Sequence, residues 1–253
     1  MPDATVNGAT IHYETAGVGS PLVLLHGIGS NSRSWRRQLA AFASDFRVIA
    51  WDAPGYGKSS DPVGKPSMSF YADTLRGLLE VLNLKRIFLL GHSTGGVIAQ
   101  EFCRSNDACV DRLILADTRC VGSQSMSEQR LSSIRTMTPA QLAVERAPKL
   151  LSRHAPPALV DEVVSIMSEV RSNGYEFAAI ALAYSDTRDV LSNLRVPALL
   201  IWGSEDEITP VWDAVPRGAR LEIIRDAGHL CYIEQPDRFN AIVREFLIED
   251  HSS

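Results

Sequence analysis

The sequence predicts a mostly parallel α/β sheet with helices on both faces and a helical cap. Three observations predict it. Short, continuously apolar runs recur along the chain. Amphipathic stretches separate them. Between residues 121 and 187 the alternation stops, leaving only helical patterns. Strands buried on both faces must be apolar throughout, and strand–helix alternation is what parallel pairing requires.

The elements follow in order. Asn7-Gly8 is a hairpin turn signal, and Thr10–Thr15 alternates apolar and polar residues after it, so the first two strands form an antiparallel hairpin at one edge. The apolar runs are Pro21–His26, Arg47–Asp52, Arg86–Gly91, Arg112–Asp117, Ala198–Gly203 and Leu221–Asp226. The helical stretches among them are Ser34–Ser44, Ser69–Asn83, Thr94–Ser105 and Pro236–Glu249. Thr138-Pro139 and Pro156-Pro157 mark helix starts inside the 121–187 insertion. The chain thus divides into a core, 1–120 and 188–253, and a cap, 121–187. An insertion placed after a parallel strand sits over the strands' C-terminal ends, where open α/β sheets bind ligands.

Composition excludes several functions. With 25 Lys and Arg against 30 Asp and Glu, interleaved, the net charge is −5, and no basic stripe suits nucleic acid. No apolar run approaches membrane-spanning length. The N-terminal residues lack the basic and apolar regions of a signal peptide. Cys103, Cys109, Cys120 and Cys231 show no metal-ligand spacing and read as reduced thiols of a cytoplasmic protein without a zinc site. The sequence leaves the oligomeric state, monomer or homo-oligomer, open.

The chemistry centres on Gly91-His92-Ser93-Thr94-Gly95-Gly96. G-x-S-x-G occurs in ordinary glycine-rich turns as well. Here it directly follows an apolar strand and precedes a helix, the setting in which a sharp turn exposes the serine hydroxyl at a helix N-terminus. A serine needs a base. Of the six histidines, His229 in Asp226-Ala227-Gly228-His229 directly follows the last strand and can reach the sheet's C-terminal edge. His26 opens Gly27-Ile28-Gly29 and reads as a structural anchor of that loop. His92 is expected to point away from the turn, and His12, His154 and His251 fall in an edge strand, the cap and the tail. The orienting acid is Asp206, mid-turn in Gly203–Pro210, whose proline is expected to open a helix. Asp117 remains the alternative, since chain order permits either. An oxyanion hole needs two N–H donors, and the amides of Thr94 and Ile28 are placed to supply them.

With these motifs in order, joined by Asp52-Ala53-Pro54-Gly55-Tyr56-Gly57-Lys58-Ser59 and Glu234-Gln235-Pro236, the chain resembles the α/β-hydrolase superfamily over essentially its full length. Within it, Asp117-Thr118-Arg119, the chain length and the cap size resemble the 3-oxoadipate enol-lactonase-like esterases and lactonases. The resemblance implies a mostly parallel eight-stranded sheet and a serine hydrolase that cleaves a small carboxylic ester or lactone through an acyl-enzyme, with no metal or organic cofactor. Two readings stand beside it. Meta-cleavage C–C hydrolases usually carry asparagine where His92 stands and run longer. Cofactor-free perhydrolases share the Gly-x-Ser-Thr-Gly-Gly elbow but usually carry a proline in the oxyanion loop, absent from His26–Asn31. A ligand receptor that keeps the triad would show a degraded elbow or loop, and neither is seen.

For substrate binding, Arg119 lies at the root of the cap, where its guanidinium could grip a carboxylate; an ordinary salt bridge is the alternative. Trp35 is placed near the pocket mouth or in the core. Arg135, Arg153 and Arg171 read as solvated cap residues. Met126, Ile134, Met137, Leu150, Leu151 and Met167 read as helix packing, with one or two doubling as pocket wall. Tyr56 reads as structural and Cys231 as a small apolar filler.

Overall fold

A computed structural model describes residues 2–209, 216 and 218–249. Its eight strands are β1 (Asp3–Val6), β2 (Ala9–Ala16), β3 (Ser20–Leu25), β4 (Phe46–Trp51), β5 (Ile87–His92), β6 (Val110–Ala116), β7 (Ala198–Gly203) and β8 (Arg220–Ile224). They form one sheet in the order β1-β2-β4-β3-β5-β6-β7-β8. β1–β2 and β2–β4 pair antiparallel, and every other pair is parallel. The hairpin turns at Asn7 and Gly8, with φ of 50° and 82°, the two positive values a tight turn of this hand demands.

Alternating residues of the central strands feed two cores. Val23, Ile49, Leu89, Leu113 and Leu200 face one side, with α2 (Met68–Val81) and α3 (Thr94–Asn106) packed over them. Leu22, Val48, Leu90, Ile114 and Leu199 face the other, under α1 (Arg36–Phe42) and α10 (Pro236–Ile248). Both faces are dry, which is why the runs read as unbroken apolar sequence. β8 differs from the expectation of a strand buried on both faces. It lies at the sheet edge, and Leu221 and Ile223 are 39% and 42% exposed.

Between β6 and β7 lie the cap helices α4 (Gln124–Thr136), α5 (Pro139–Arg146), α6 (Pro157–Met167) and α7 (Ser172–Ala183), then the short α8 (Arg188–Ser192). Thr138 and Gln141 cap α5 reciprocally, with Pro139 in its first turn. α4 packs on α7 and α5 on α6. The Val121–Asp186 bridge closes the base of the insertion. Glu162 on α6 meets Arg36 and Arg37 of α1, and Glu169 meets Arg33 and Asn31. Arg171 is no free solvated residue: it reaches Asp61 and the carbonyls of Gly57 and Ser59. Arg135 and Arg153 pair with Glu176 and Glu205. Among the described residues, no helix is long and apolar enough to cross a membrane, and all four cysteines are unpaired.

Candidate active site

The turn between β5 and α3 holds Ser93 at φ 52° and ψ −119°, a strained conformation for a residue with a side chain. The glycines around it are sterically obligatory. A Cβ on Gly91 would stand 2.3 Å from Gly95 O, and one on Gly95 would stand 2.2 Å from Leu25 O. The strained peptide is tied on both sides, Ser93 N donating to Ala116 O (2.9 Å) and Thr118 Oγ1 donating to Ser93 O (2.6 Å).

Two further loops at the same sheet edge converge on this hydroxyl. His229, after β8 and just before the one-turn α9 (Cys231–Glu234), has Nε2 2.9 Å from Ser93 Oγ and Nδ1 2.9 Å from Asp206 Oδ2. His229 and Asp206 are buried. A carboxylate on Nδ1 fixes the proton there and leaves the Nε2 lone pair to accept from the serine hydroxyl. Burial acts to raise the Asp206 pKa. The hydrogen bond and charge of His229, with the donors of Thr209, outweigh it and hold this carboxyl well below the usual range. Those donors are the Thr209 hydroxyl on Oδ2 (2.6 Å) and the Thr209 amide on Oδ1 (3.0 Å), and the Ile208 amide also donates to Oδ1 (2.8 Å). Pro210, expected to open a helix, lies outside the described residues.

Asp117, the alternative acid, is otherwise engaged. It accepts from Gly203 N at 2.8 Å and from Cys231 Sγ at 2.9 Å. Full burial and then the charge of Asp206 push its carboxyl well above the normal range. Cys231 is therefore a hydrogen-bond donor rather than a plain filler. Asp117, Asp206 and His229 are also the one His/Cys/Asp/Glu group of metal-binding spacing among the described residues, and hydrogen bonds already engage their ligand atoms.

His26 locks the loop after β3. Its Nδ1 donates to Gly27 O (2.9 Å), and its Nε2 accepts from Ala53 N (3.0 Å). Ile28 lines the cavity above Ser93, and Thr94 opens α3, where first-turn N–H groups lack helical partners. His92 does not point away from the turn: its ring packs 4.8 Å from the His229 ring and donates from Nε2 to His229 O at 2.7 Å. Burial and then the His229 charge drive its pKa down to about 3, so it stays neutral in this role.

The cavity measures about 540 Å³ counting its open mouth. Leu150 and Met167 line it, so two residues read as helix packing double as wall. Arg119 and Trp35 do not. Arg119 bends to Ile208 O (2.6 Å) and the Met126 sulfur (3.2 Å). Trp35 is fully buried, 4.2 Å from the Tyr232 ring, because the turn preceding α1 drives it into the core. In their place stand Arg130 and Arg146. The signal for Arg130 was its spacing: Ser127, Arg130 and Ile134 form the buried stripe of α4, at the offsets that bring side chains onto one helix face.

A strained serine at a strand–helix turn, joined to a buried histidine and carboxylate beneath a helical cap, defines a hydrolase of the α/β class. Residues 22–242 match the Alpha/beta hydrolase family, and the chain belongs to that family. A 2-hydroxy-6-oxononadienedioate/2-hydroxy-6-oxononatrienedioate hydrolase of Burkholderia vietnamiensis is 31% identical, over 94% of this chain and 90% of its own. A thermophilic esterase of Thermogutta terrifontis, solved with malate bound, superposes with a TM-score of 0.89 at 30% identity, covering 97% of each chain. The enol-lactonase of Burkholderia xenovorans superposes at 0.91 with 27% identity, over 98% of this chain and 100% of its own.

Proposed function

We propose that this enzyme hydrolyses a small carboxylic ester or lactone through an acyl-enzyme on Ser93. The observation that carries this reading is the pair of 2.9 Å contacts running Ser93 Oγ–His229 Nε2 and His229 Nδ1–Asp206 Oδ2 at the floor of a single cavity. His229 takes the serine proton as Oγ attacks the carbonyl carbon, and the C=O electron pair moves onto oxygen. The amides of Ile28 and Thr94 hold that oxyanion. It collapses, His229 returns the proton to the departing alkoxide, and the acyl group stays on Ser93. Water, deprotonated by His229, then releases the acid. Asp206 keeps the imidazole in the required tautomer and stabilises its cation. The same residues could instead serve a C–C hydrolase, a reading supported by the name of the Burkholderia vietnamiensis relative.

The test is covalent labelling with phenylmethylsulfonyl fluoride and peptide mapping, with p-nitrophenyl butyrate turnover alongside. Labelling at Ser93, and turnover lost in Ser93→Ala, is the expected result. Undiminished hydrolysis in Ser93→Ala removes the mechanism. Faster turnover of a yellow ring-fission dienoate than of any ester favours the second reading.

A further inference from the structure

The mechanism leaves Glu234 without a task, although it closes the helical turn that follows the base. Its carboxylate joins two parts of the fold. Oε1 accepts from Gly228 N at 2.7 Å, on the residue before His229. Oε2 accepts from Ser152 N at 2.9 Å, in the cap segment between α5 and α6. On the other side of His229, Leu230 N donates to Leu150 O at 3.1 Å. Both residues flanking the base thus meet the cap, one directly and one through Glu234. The approach is backbone to backbone: a Cβ on Gly228 would stand 2.6 Å from Leu151 C and 2.7 Å from Ser152 N.

The acid loop is tied to the same segment. Arg153 N donates to Glu205 Oε2 at 3.2 Å, and Glu205 N donates to Ala227 O at 2.8 Å. Glu205 adjoins Asp206, and Ala227 lies just ahead of Gly228 and His229. Residues 150–153 therefore touch both loops whose side chains meet at the 2.9 Å His229–Asp206 contact. On the core side, His92 holds His229 O. The imidazole goes where its backbone carries it, so a small shift of this loop draws Nε2 off the serine hydroxyl, and rate falls steeply with such misplacement. Hydrogen bonds to a carboxylate are roughly twice as strong as those between neutral groups, which suits Glu234 to hold two amides against that shift.

We propose that Glu234 is a positioning residue for the base, and that cap residues 150–153 hold the His229 loop through it, so that a seated cap sets the Ser93–His229–Asp206 geometry. Leu150 also lines the cavity, so the segment that steadies the base is in reach of a bound substrate. The inference rests on the ester and lactone reading for its kinetics, but not for the tie itself.

Two measurements test it. The first is steady-state turnover of p-nitrophenyl butyrate, counted per Ser93 titrated with phenylmethylsulfonyl fluoride. Glu234→Gln is nearly isosteric, but it keeps one acceptor oxygen and turns an NH2 against the other backbone N–H. Its kcat should fall about 10- to 100-fold, with KM within about twofold because the wall that binds the ester is unchanged. Gly228→Ala keeps the carboxylate but wedges the loop off the cap, and should show the same split. Wild-type kcat per titrated serine in folded Glu234→Gln, whatever its urea midpoint, is what a purely structural role predicts and overturns the proposal; should that variant not fold, Gly228→Ala decides by the same readout. The second is amide hydrogen exchange followed by mass spectrometry. Glu234→Ala, which lacks both acceptors, should lose protection at Ser152 and Gly228 together, and unchanged protection at either overturns the tie. If no ester is turned over at all, the hydrolytic reading fails while the exchange experiment still decides whether Glu234 joins the cap to the base loop.

Discussion

His229 stands between two carboxylates of opposite character: Asp206 touches its Nδ1 at 2.9 Å, while Asp117, a few ångströms off, is turned to Gly203 N and Cys231 Sγ. Asp206 is held ionised and Asp117 is pushed toward its neutral form. Asparagine is nearly isosteric with either. Asp206→Asn leaves the imidazole without an anion and favours the wrong tautomer, so kcat for p-nitrophenyl butyrate falls about 10³-fold or more. Asp117→Asn keeps an oxygen for one of those two donors and stays within about tenfold of wild type, because the charge it lacks is not one the site uses. Steady-state kinetics on the two variants side by side check this, and equal losses would contradict the division of roles.

His92 makes the fold sensitive to acid. Its folded pKa of about 3 lies below the ordinary histidine value near 6.5. Between those values the unfolded chain binds a proton that the native state refuses, so stability rises with pH across that window. The contribution is fully present above about pH 6.5 and is lost as pH falls toward 3. From pH 7 to pH 5 the cost is about 2 kcal/mol. Burial lowers His26 in the same direction and steepens the slope. Urea denaturation at the two pH values should show His92→Asn losing less stability over this interval than wild type, and an identical slope would contradict the assignment.

Gly27 bears on the oxyanion loop. A Cβ there would stand 3.1 Å from Ser93 Cβ and 3.0 Å from His92 Nδ1. Those neighbours are themselves fixed, so the loop must move, taking the Ile28 amide with it. A displaced donor costs up to 10²–10³ in kcat. Gly27→Ala should lose about tenfold or more in kcat for p-nitrophenyl butyrate with its melting temperature little changed, checked by kinetics and calorimetry on one preparation.

The sheet, the elbow and the loops bearing Ser93, Asp206 and His229 were legible because each is set by local chemistry: apolar runs, glycines at fixed offsets, a turn after a strand. What failed was of another kind. Arg119 and Trp35 were placed by their position after a strand, but where a long side chain points depends on what packs over it. Arg119 was drawn aside by Ile208 O and Trp35 by the Tyr232 ring. His92 was judged from the turn alone, and its partner is a carbonyl on a loop distant in sequence. Arg130 was not singled out, although Ile134, four residues on, was read as helix packing and both are buried on α4. Two helical positions on one face share one environment.

The cap is seated by a contact that tolerates no side chain. Gly55 and Gly174 meet backbone to backbone: a Cβ on Gly174 would lie 2.1 Å from Gly55 O, and one on Gly55, at φ +89°, would lie 2.5 Å from Gly174 Cα. Neither partner is a flexible side-chain end that could step aside. The Gly55 loop is bound to Asp52, which accepts from Lys58 N and Ser32 N, and the first turn of α7 is held by Arg171. Further along α7, Tyr175 rests beside Gly29 of the oxyanion loop. An added methyl at residue 174 must therefore lift α7 off the core rather than repack around it. Gly174→Ala should destabilise the protein by about 1–3 kcal/mol, the usual cost of overpacking, read from urea midpoints. It should also lower kcat/KM for p-nitrophenyl butyrate about tenfold, since a small displacement near a reacting centre is felt strongly in rate. Gly8→Ala, at a turn where a Cβ meets nothing within 4 Å, serves as the control for loss of a glycine: it strains its own backbone at φ 82° but leaves the cap in place, so stability drops without the kinetic effect.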